Sequence, residues 1–275
     1  MKDHSLWKME GAGNDFLLGT GRWAERLAHD PRFVVDLCRR RCGLGADGVL
    51  ALFSDGGGRV KLVYRNADGS AAVFCANGTR CAALAAVRLL GLAPDLIVVT
   101  DWVEVPARVV EDGRRVVLDL PIPEVRRPSL NLAVAGELYS GVLLDVGVPH
   151  LIFRVDDLST IDLEAAAPLL RRHPDLGPEG ANVTFIRREE DGEIAIRTWE
   201  RGVEGEILCC GSAVVAAGWL EIENSSQDAA TFRARSGDLL TVSTSAVGVN
   251  LEGPARFIAQ VEPVLFIDEP PLREN

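Results

Sequence analysis

Lysine is nearly missing from this chain: Lys2, Lys8 and Lys61 are the only three among 29 basic residues. None follows a glycine-rich phosphate loop or stands in a phosphate-cradling context, which argues against a P-loop nucleotide site and a pyridoxal phosphate Schiff base. Long apolar runs are absent too. No stretch of about 18 residues is apolar enough to cross a bilayer. The opening Met1-Lys2-Asp3-His4-Ser5-Leu6-Trp7-Lys8 lacks the apolar core of a signal peptide, so a cytoplasmic protein is expected. Positive charge is in deficit. A net charge of −11 repels nucleic acid and anionic membrane, and neither is expected as a partner. No C-x-x-C pair occurs among the six cysteines, at 38, 42, 75, 81, 209 and 210, and there are only four histidines. That weakens a zinc site or a redox dithiol; neither metal nor cofactor is expected, and the thiols should be reduced.

What is present is ordinary in bulk and unusual in one repeated stretch. The 275 residues are 47% hydrophobic and 25% charged, enough for one large domain or two medium ones. The stretch from Tyr64 to Cys81 holds Asn66-Ala67-Asp68-Gly69-Ser70 and Cys75-Ala76-Asn77-Gly78, and enters the alanine-rich run Ala82 to Leu90. Its counterpart, Arg197 to Ser212, ends Cys209-Cys210-Gly211-Ser212 and enters Ala213 to Trp219. Both read as strand, polar loop, cysteine, then small residues starting a helix. Unpaired N–H groups and the helix dipole at such an end favour a thiolate below the usual pKa of about 8.5, and can hold a carboxylate. A lone cysteine is usually a small buried hydrophobe; two in matching contexts are harder to dismiss.

The other elements repeat in the same order. A glycine turn at Met9 to Phe16 precedes a helix capped by Asp30-Pro31 that runs to Gly43, with a tight loop at Gly43 to Gly48. Cys38 and Cys42, one helical turn apart, read as packing. Strands are expected at Val60 to Tyr64 and Leu96 to Thr100, then a hairpin from Val103 to Leu120 turning at Glu111-Asp112-Gly113. Pro121 through Pro128 reads as the boundary. Beyond it come Gly147-Val148-Pro149-His150, a helix at Leu163 to Arg172, a loop at Gly180 to Asn182, and a hairpin Val183 to Trp199 turning at Glu190-Asp191-Gly192. The tail from Ala230 to Phe266 is β-rich, with turns at Ser236 to Asp238 and Glu252 to Pro254. This implies an α+β fold of two pseudo-symmetric domains, each a curved, mostly antiparallel sheet wrapped around a central helix. The halves are placed at 1–123 and 124–261. Packed face to face, they would bring Cys75 and Cys210 to one ligand from opposite sides. One thiolate then removes a proton while the other thiol delivers one, inverting a carbon without a cofactor.

These motifs resemble the diaminopimelate epimerase family, which interconverts L,L- and meso-diaminopimelate for lysine and peptidoglycan synthesis. The likeness runs through Gly13-Asn14-Asp15-Phe16, Gly45-Ala46-Asp47-Gly48, Asn66 to Ser70, Cys75 to Cys81, Gly147 to His150, Asn182 to Phe185, Glu200 to Val203 and Cys210-Gly211-Ser212, in family order. It implies that Cys75 and Cys210 are the acid/base pair, with His150 and Glu200 setting their protonation. Asn14, Asn66, Asn182, Glu200 and Arg201 become substrate ligands, Arg201 for the distal carboxylate. Ala76-Asn77 and Gly211-Ser212 would offer N–H groups to the α-carboxylate. It also implies an amino-acid substrate, a homodimer, and a terminal strand at about 262–275 returning to the first half. Three departures from the family stand out: Val148 stands where an asparagine is common, Ala76 replaces a glycine, and Ser212-Ala213 replaces Thr-Gly. Val148 keeps a second reading alive, a cysteine-dependent racemase of another amino acid. A non-catalytic dithiol or metal-binding protein is the third.

Overall fold

Alanine makes two helices narrow enough to be enclosed by their own sheets. In α3 (Ala76–Leu90) the side chains of Ala82, Ala83, Ala85 and Ala86 are buried, and in α5 (Gly211–Glu223) so are Ala213, Ala216 and Ala217. Gly218 of α5 lies so near the sheet that an added Cβ would stand 2.5 Å from Val242 Cβ. Even a methyl group there would overpack, at a cost of about 1–3 kcal/mol. The computed structural model describes residues 6–110, 113–246 and 248–263.

The strands of the amino-terminal half are β1 (Leu6–Gly11), β2 (Asn14–Gly19), β3 (Gly48–Gly56), β4 (Arg59–Asn66), β5 (Ala71–Ala72), β6 (Asp95–Val99), β7 (Glu104–Val110) and β8 (Arg115–Leu120). There follow β9 (Glu124–Val134), β10 (Glu137–Asp145), β11 (Pro149–Arg154), β12 (Asn182–Arg188), β13 (Ile194–Glu200), β14 (Gly205–Ile207), β15 (Ala229–Arg233), β16 (Leu239–Thr244), β17 (Val249–Pro254) and β18 (Arg256–Val261). One half pairs in the order β18-β1-β2-β3-β4-β6-β7-β8. The other pairs as β9-β10-β11-β12-β13-β15-β16-β17. Read from those ends, the two orders have the same sequence of parallel and antiparallel joints, and the antiparallel β8–β17 pair links them. The repeat in the sequence is therefore a repeat of topology, and the α+β fold of two mostly antiparallel halves is as expected.

Two strands cross between the halves. β9 leaves β8 to pair with β10, and β18 leaves β17 to pair with β1. Arg256–Val261 thus crosses to the first half; of the strand expected at about 262–275, residues 264–275 lie outside the described residues.

Period-two alternation sends one face of β3 and of β11 to the central helices and the other to outer helices. Leu50 and Leu52 of β3 join the core around α3 and α5, whereas Val49 and Ala51 meet α1 (Arg22–His29) and α2 (Pro31–Cys38). In the second half Ile152 faces the central core, and Leu151 and Phe153 face α4 (Leu163–Arg171).

Several local expectations need correction. The Asp30 cap is present, accepting from Phe33 N–H, but α2 stops at Cys38. The chain folds back, with the N–H groups of Leu44 and Gly45 on Leu37 O, so Gly43 covers the helix end instead of terminating it. Helix α1 was not expected; it starts at Gly21 without a side-chain cap and is held by Trp23, Ala24, Leu27 and Ala28. Pro128, read as boundary, lies inside β9 opposite a register shift in β10, one of the few places a strand tolerates proline. Glu252 to Pro254, read as a turn, is strand β17. Of the expected turn at Glu111-Asp112-Gly113, the first two residues lie outside the described residues.

Candidate active site at two helix N-termini

Cys75 is the N-cap of α3 and Cys210 the N-cap of α5, both extended in backbone and both half-buried. Gly78 N–H donates to Cys75 Sγ at 3.4 Å, so the sulfur occupies the place a capping oxygen would take. Cys210 makes no such bond to its helix; its sulfur lies 3.3 Å from Ser212 Oγ. The two helix ends touch. A Cβ added to Gly211 would be 2.8 Å from Ala76 Cβ and 2.9 Å from Asn77 Oδ1.

Alternation explains which side chains join them. In β11, β12 and β13 the inner-face positions end at His150, Asn182 and Glu200, continuing the parity of the core residues Ile152, Ile186 and Ile196. In β2 and β4 the same parity, set by Phe16 and Leu62, ends at Asn14 and Asn66. Each half thus rings one helix end with polar residues at strand termini. Asn14 and His150 occupy equivalent strands, as do Asn66 and Glu200.

The contacts follow this plan. His150 Nε2 is 3.0 Å from Ser212 Oγ, which makes a chain from imidazole to hydroxyl to the Cys210 sulfur. Asn14 Oδ1 accepts from the Cys75 thiol at 3.7 Å and from Asn77 Nδ2 at 3.4 Å, while Asn14 Nδ2 donates to Asp47 at 2.9 Å. Asn77 also donates to Cys209 O at 3.0 Å, tying the two halves together behind the thiols. Asn182 pairs in register with His150 and accepts from Arg201 N–H at 2.8 Å. The Arg201 side chain reaches Glu179 O at 3.2 Å. Asn66 is occupied locally, donating to Ser70 Oγ at 2.9 Å, and adjoins the others only through Asp47, whose carbonyl accepts from Ala67 N–H.

Burial dominates the electrostatics. The Glu200 carboxyl is pushed up from 4.5 to about 7 by desolvation and by the Asp47 charge, against a stabilising bond from Cys210. His150 is driven down to about 3 by burial and by Arg201, which makes it a neutral imidazole. The Cys75 thiol rises to about 11 through burial, opposed by the Gly78 N–H; Glu200 adds to the rise. The Cys210 thiol is also raised well above its ordinary value, by burial and then Glu200. Glu200 therefore acts on both sulfurs. Both thiols hold their protons, and of the groups around them Glu200 is the one that titrates near neutrality.

Sequence reasoning passed over three neighbours. Asp47 lay within a quoted motif but was assigned nothing, though it orients Asn14 and raises Glu200. Tyr64 is held in its phenol form chiefly by burial, with the Glu200 charge adding to it. Arg80, inside the quoted Cys75 to Cys81 motif, is the third, and it is fully buried. The position of Tyr64, two residues before Asn66, was the available signal for it; the other two needed long-range contacts. Among the described residues no group of three or more His, Cys, Asp or Glu is placed to hold a metal, and no helix is long and apolar enough to cross a membrane.

A family model described as diaminopimelate epimerase matches residues 6–120 and 142–258. A diaminopimelate epimerase of Gemmatimonas aurantiaca is 36% identical over 259 residues, covering 90% of this chain and 92% of that protein. One from Hydrogenobaculum sp. is 33% identical over 263 residues, covering 90% and 94%. Among solved structures, a hydroxyproline epimerase from Agrobacterium vitis with bound trans-4-hydroxy-L-proline superposes with a TM-score of 0.71 at 16% identity, over 94% of this chain and 90% of that one. A phenazine biosynthesis protein of Bacillus anthracis gives 0.68 at 13% identity, over 95% and 99%. These structures share the fold.

Proposed function

The chain belongs to the diaminopimelate epimerase family, and from that premise we propose that Cys75 and Cys210 are the two acid/base groups of its reaction. It is an isomerase, an epimerase acting on diaminopimelate. The observation that carries the two-thiol reading is the meeting of two helix N-termini, each capped by a cysteine and each ringed by polar strand ends.

In this reading the substrate α-carboxylate takes the N–H groups of Ala76-Asn77 and Gly211-Ser212, where both helix dipoles favour negative charge. One thiol must first give up its proton. On the Cys210 side that proton has a route, because Glu200 bonds to the thiol and Ser212 links it to the neutral imidazole of His150. The thiolate takes the α-proton; the opposite thiol, Cys75 with its sulfur supported by Gly78 N–H, delivers a proton to the other face. One S–H is consumed as the other forms, and proton transfer through the flanking groups resets the pair. Reaction in the opposite direction uses the same groups with roles exchanged. The N–H groups stabilise charge delocalised from the α-carbon into the carboxylate. Asn14, Asn66, Asn182, Glu200 and Arg201 are the proposed ligands for the remainder of the substrate. No cofactor takes part, and the enzyme is read as a cytoplasmic homodimer, which light scattering would check.

The test is proton exchange. Reduced protein with L,L-diaminopimelate in heavy water should give the deuterated meso isomer, and Cys75→Ala and Cys210→Ala should each lose epimerisation. Retained epimerisation in either variant would sink the reading. The departure at Val148 motivates the second reading, and an L-amino-acid panel decides it: preference for a monocarboxylate would favour a different substrate.

A further inference from the structure

Arg80 is the largest of the fully buried side chains. Its Nε donates to Pro254 O at 3.1 Å, its Nη2 donates to Asn77 Oδ1 at 2.8 Å, and its Nη1 finds no partner. The carboxylates on that side, Glu10 and Asp238, are engaged by Arg256. Among the described residues no carboxylate forms an ion pair with Arg80. A buried, unpaired charge costs several kcal/mol, far more than a link between α3 and β17 requires. Its place in the fold accounts for its being kept.

The bond to Asn77 Oδ1 leaves the Asn77 amide only one useful orientation. Nδ2 then points to Cys209 O and to Asn14 Oδ1, the oxygen that accepts the Cys75 thiol. The same guanidinium stands behind the other helix. A Cβ on Gly211, the first residue of α5, would be 3.5 Å from Arg80 Nη1. The backbone has made room for it: a Cβ on Gly253 would be 3.1 Å from Arg80 Cζ. Gly253 belongs to strand β17, where its lack of a side chain serves no turn.

We propose that Arg80 is the positioning residue of the two-thiol site. Its unpaired buried charge supplies the positive potential common to the Cys75 and Cys210 helix ends, and its fork fixes the Asn77 amide. The inference rests on the two-thiol reading. Groups facing the guanidinium are Cys75 and Cys81 on α3, Cys209 before α5, Arg115 on β8 and Asp238 between β15 and β16. Those facing the two thiols further include Glu200 at the end of β13, Tyr64 on β4 and Asp238's neighbour Cys209.

The experiment compares the full-length protein with Arg80→Met and Arg80→Lys, in the absence of substrate. Iodoacetamide alkylation of Cys75 and Cys210 is followed against pH by mass spectrometry, and kcat and KM are measured separately. In Arg80→Met both alkylation midpoints should rise by about one pH unit or more, which is roughly tenfold slower alkylation at fixed pH. Arg80→Lys keeps the charge, so its midpoints should stay within a few tenths of a unit. Its single ammonium cannot hold Pro254 O and Asn77 Oδ1 together, so kcat should fall about tenfold with KM little changed. Unshifted midpoints in a folded Arg80→Met, shifted midpoints in Arg80→Lys, or wild-type kcat in Arg80→Lys would each overturn the proposal. If Arg80→Met does not fold, Arg80→Lys decides by itself. Alkylation is read without turnover, so its result stands apart from failure of the two-thiol reading, which shows as epimerisation surviving Cys75→Ala or Cys210→Ala.

Discussion

Replacing Glu200 by glutamine should stabilise the protein at alkaline pH while impairing it as an enzyme. Folding raises this carboxyl from 4.5 to about 7, chiefly by burial. The native state therefore binds the Glu200 proton more tightly than the unfolded chain does. Stability from this group is present at low pH and lost as pH rises from about 4.5 through about 7. At about 1.4 kcal/mol per pH unit the upper bound is about 3 kcal/mol, and solvent screening at a half-buried position reduces it to about 1–2 kcal/mol. Glutamine carries no such proton. The advantage of Glu200→Gln over wild type should thus grow from near zero at pH 4.5 to about 1–2 kcal/mol at pH 8.5. His150 works in the other direction: its pKa is depressed to about 3, so its contribution is present above 6.5 and lost as pH falls. It is common to both proteins and cancels in the comparison. Urea denaturation at several pH values reads the difference directly. A gap that does not change with pH, or a glutamine variant less stable at pH 8.5, would refute the reasoning. The same variant should lose the acidic limb of its kcat/KM profile near pH 7, with kcat down by roughly 100-fold.

Three further substitutions probe other parts of the site. Gly211→Ala would place its Cβ 2.8 Å from Ala76 Cβ and should wedge the helix ends apart. It should cost about 1–3 kcal/mol of stability and at least about tenfold in kcat; unchanged melting and turnover would contradict the contact. Ser212→Ala cuts the link between His150 and Cys210 and should alter alkylation of Cys210 but not of Cys75, and an equal effect on both would remove Ser212 from its assigned place. Val148→Asn should raise kcat/KM for diaminopimelate relative to monocarboxylic amino acids, as chiral chromatography would show. No change in that ratio would mean that residue 148 does not meet the distal end of the substrate.

What the sequence made legible was local. A cysteine followed by a run of small residues is a property of a few neighbouring positions, so the two cysteine helices and their repeat could be read directly. The hairpin over β12 and β13 was legible for the same reason. Long-range pairing was not: nothing near Arg256 announces that this segment pairs with β1, and nothing in Glu252-Gly253-Pro254 distinguishes a turn from a strand that yields space to Arg80. The ring of His150, Asn182 and Glu200 was named through resemblance, but its physical basis, a shared inner-face parity at three adjacent strand ends, appears only once the register is known. Arg80 was hidden for another reason. An arginine in a helix ordinarily reads as solvated surface, and only the pairing of both halves shows it enclosed.

The exchange of β9 and β18 bears on how the protein is made. During synthesis β1 through β8 leave the ribosome first, yet β1 stays without one neighbour until Arg256–Val261 follows, long after β2 has paired with it. Strand β8 also waits, for β17. The nascent amino-terminal half therefore carries two open sheet edges, the kind of surface that recruits other chains. A fragment ending at Leu120 should inherit both edges and associate with its own copies, whereas pairing with β17 and β18 seals them. The two thiol-bearing halves thus become one molecule only when β17 and β18 have found β8 and β1.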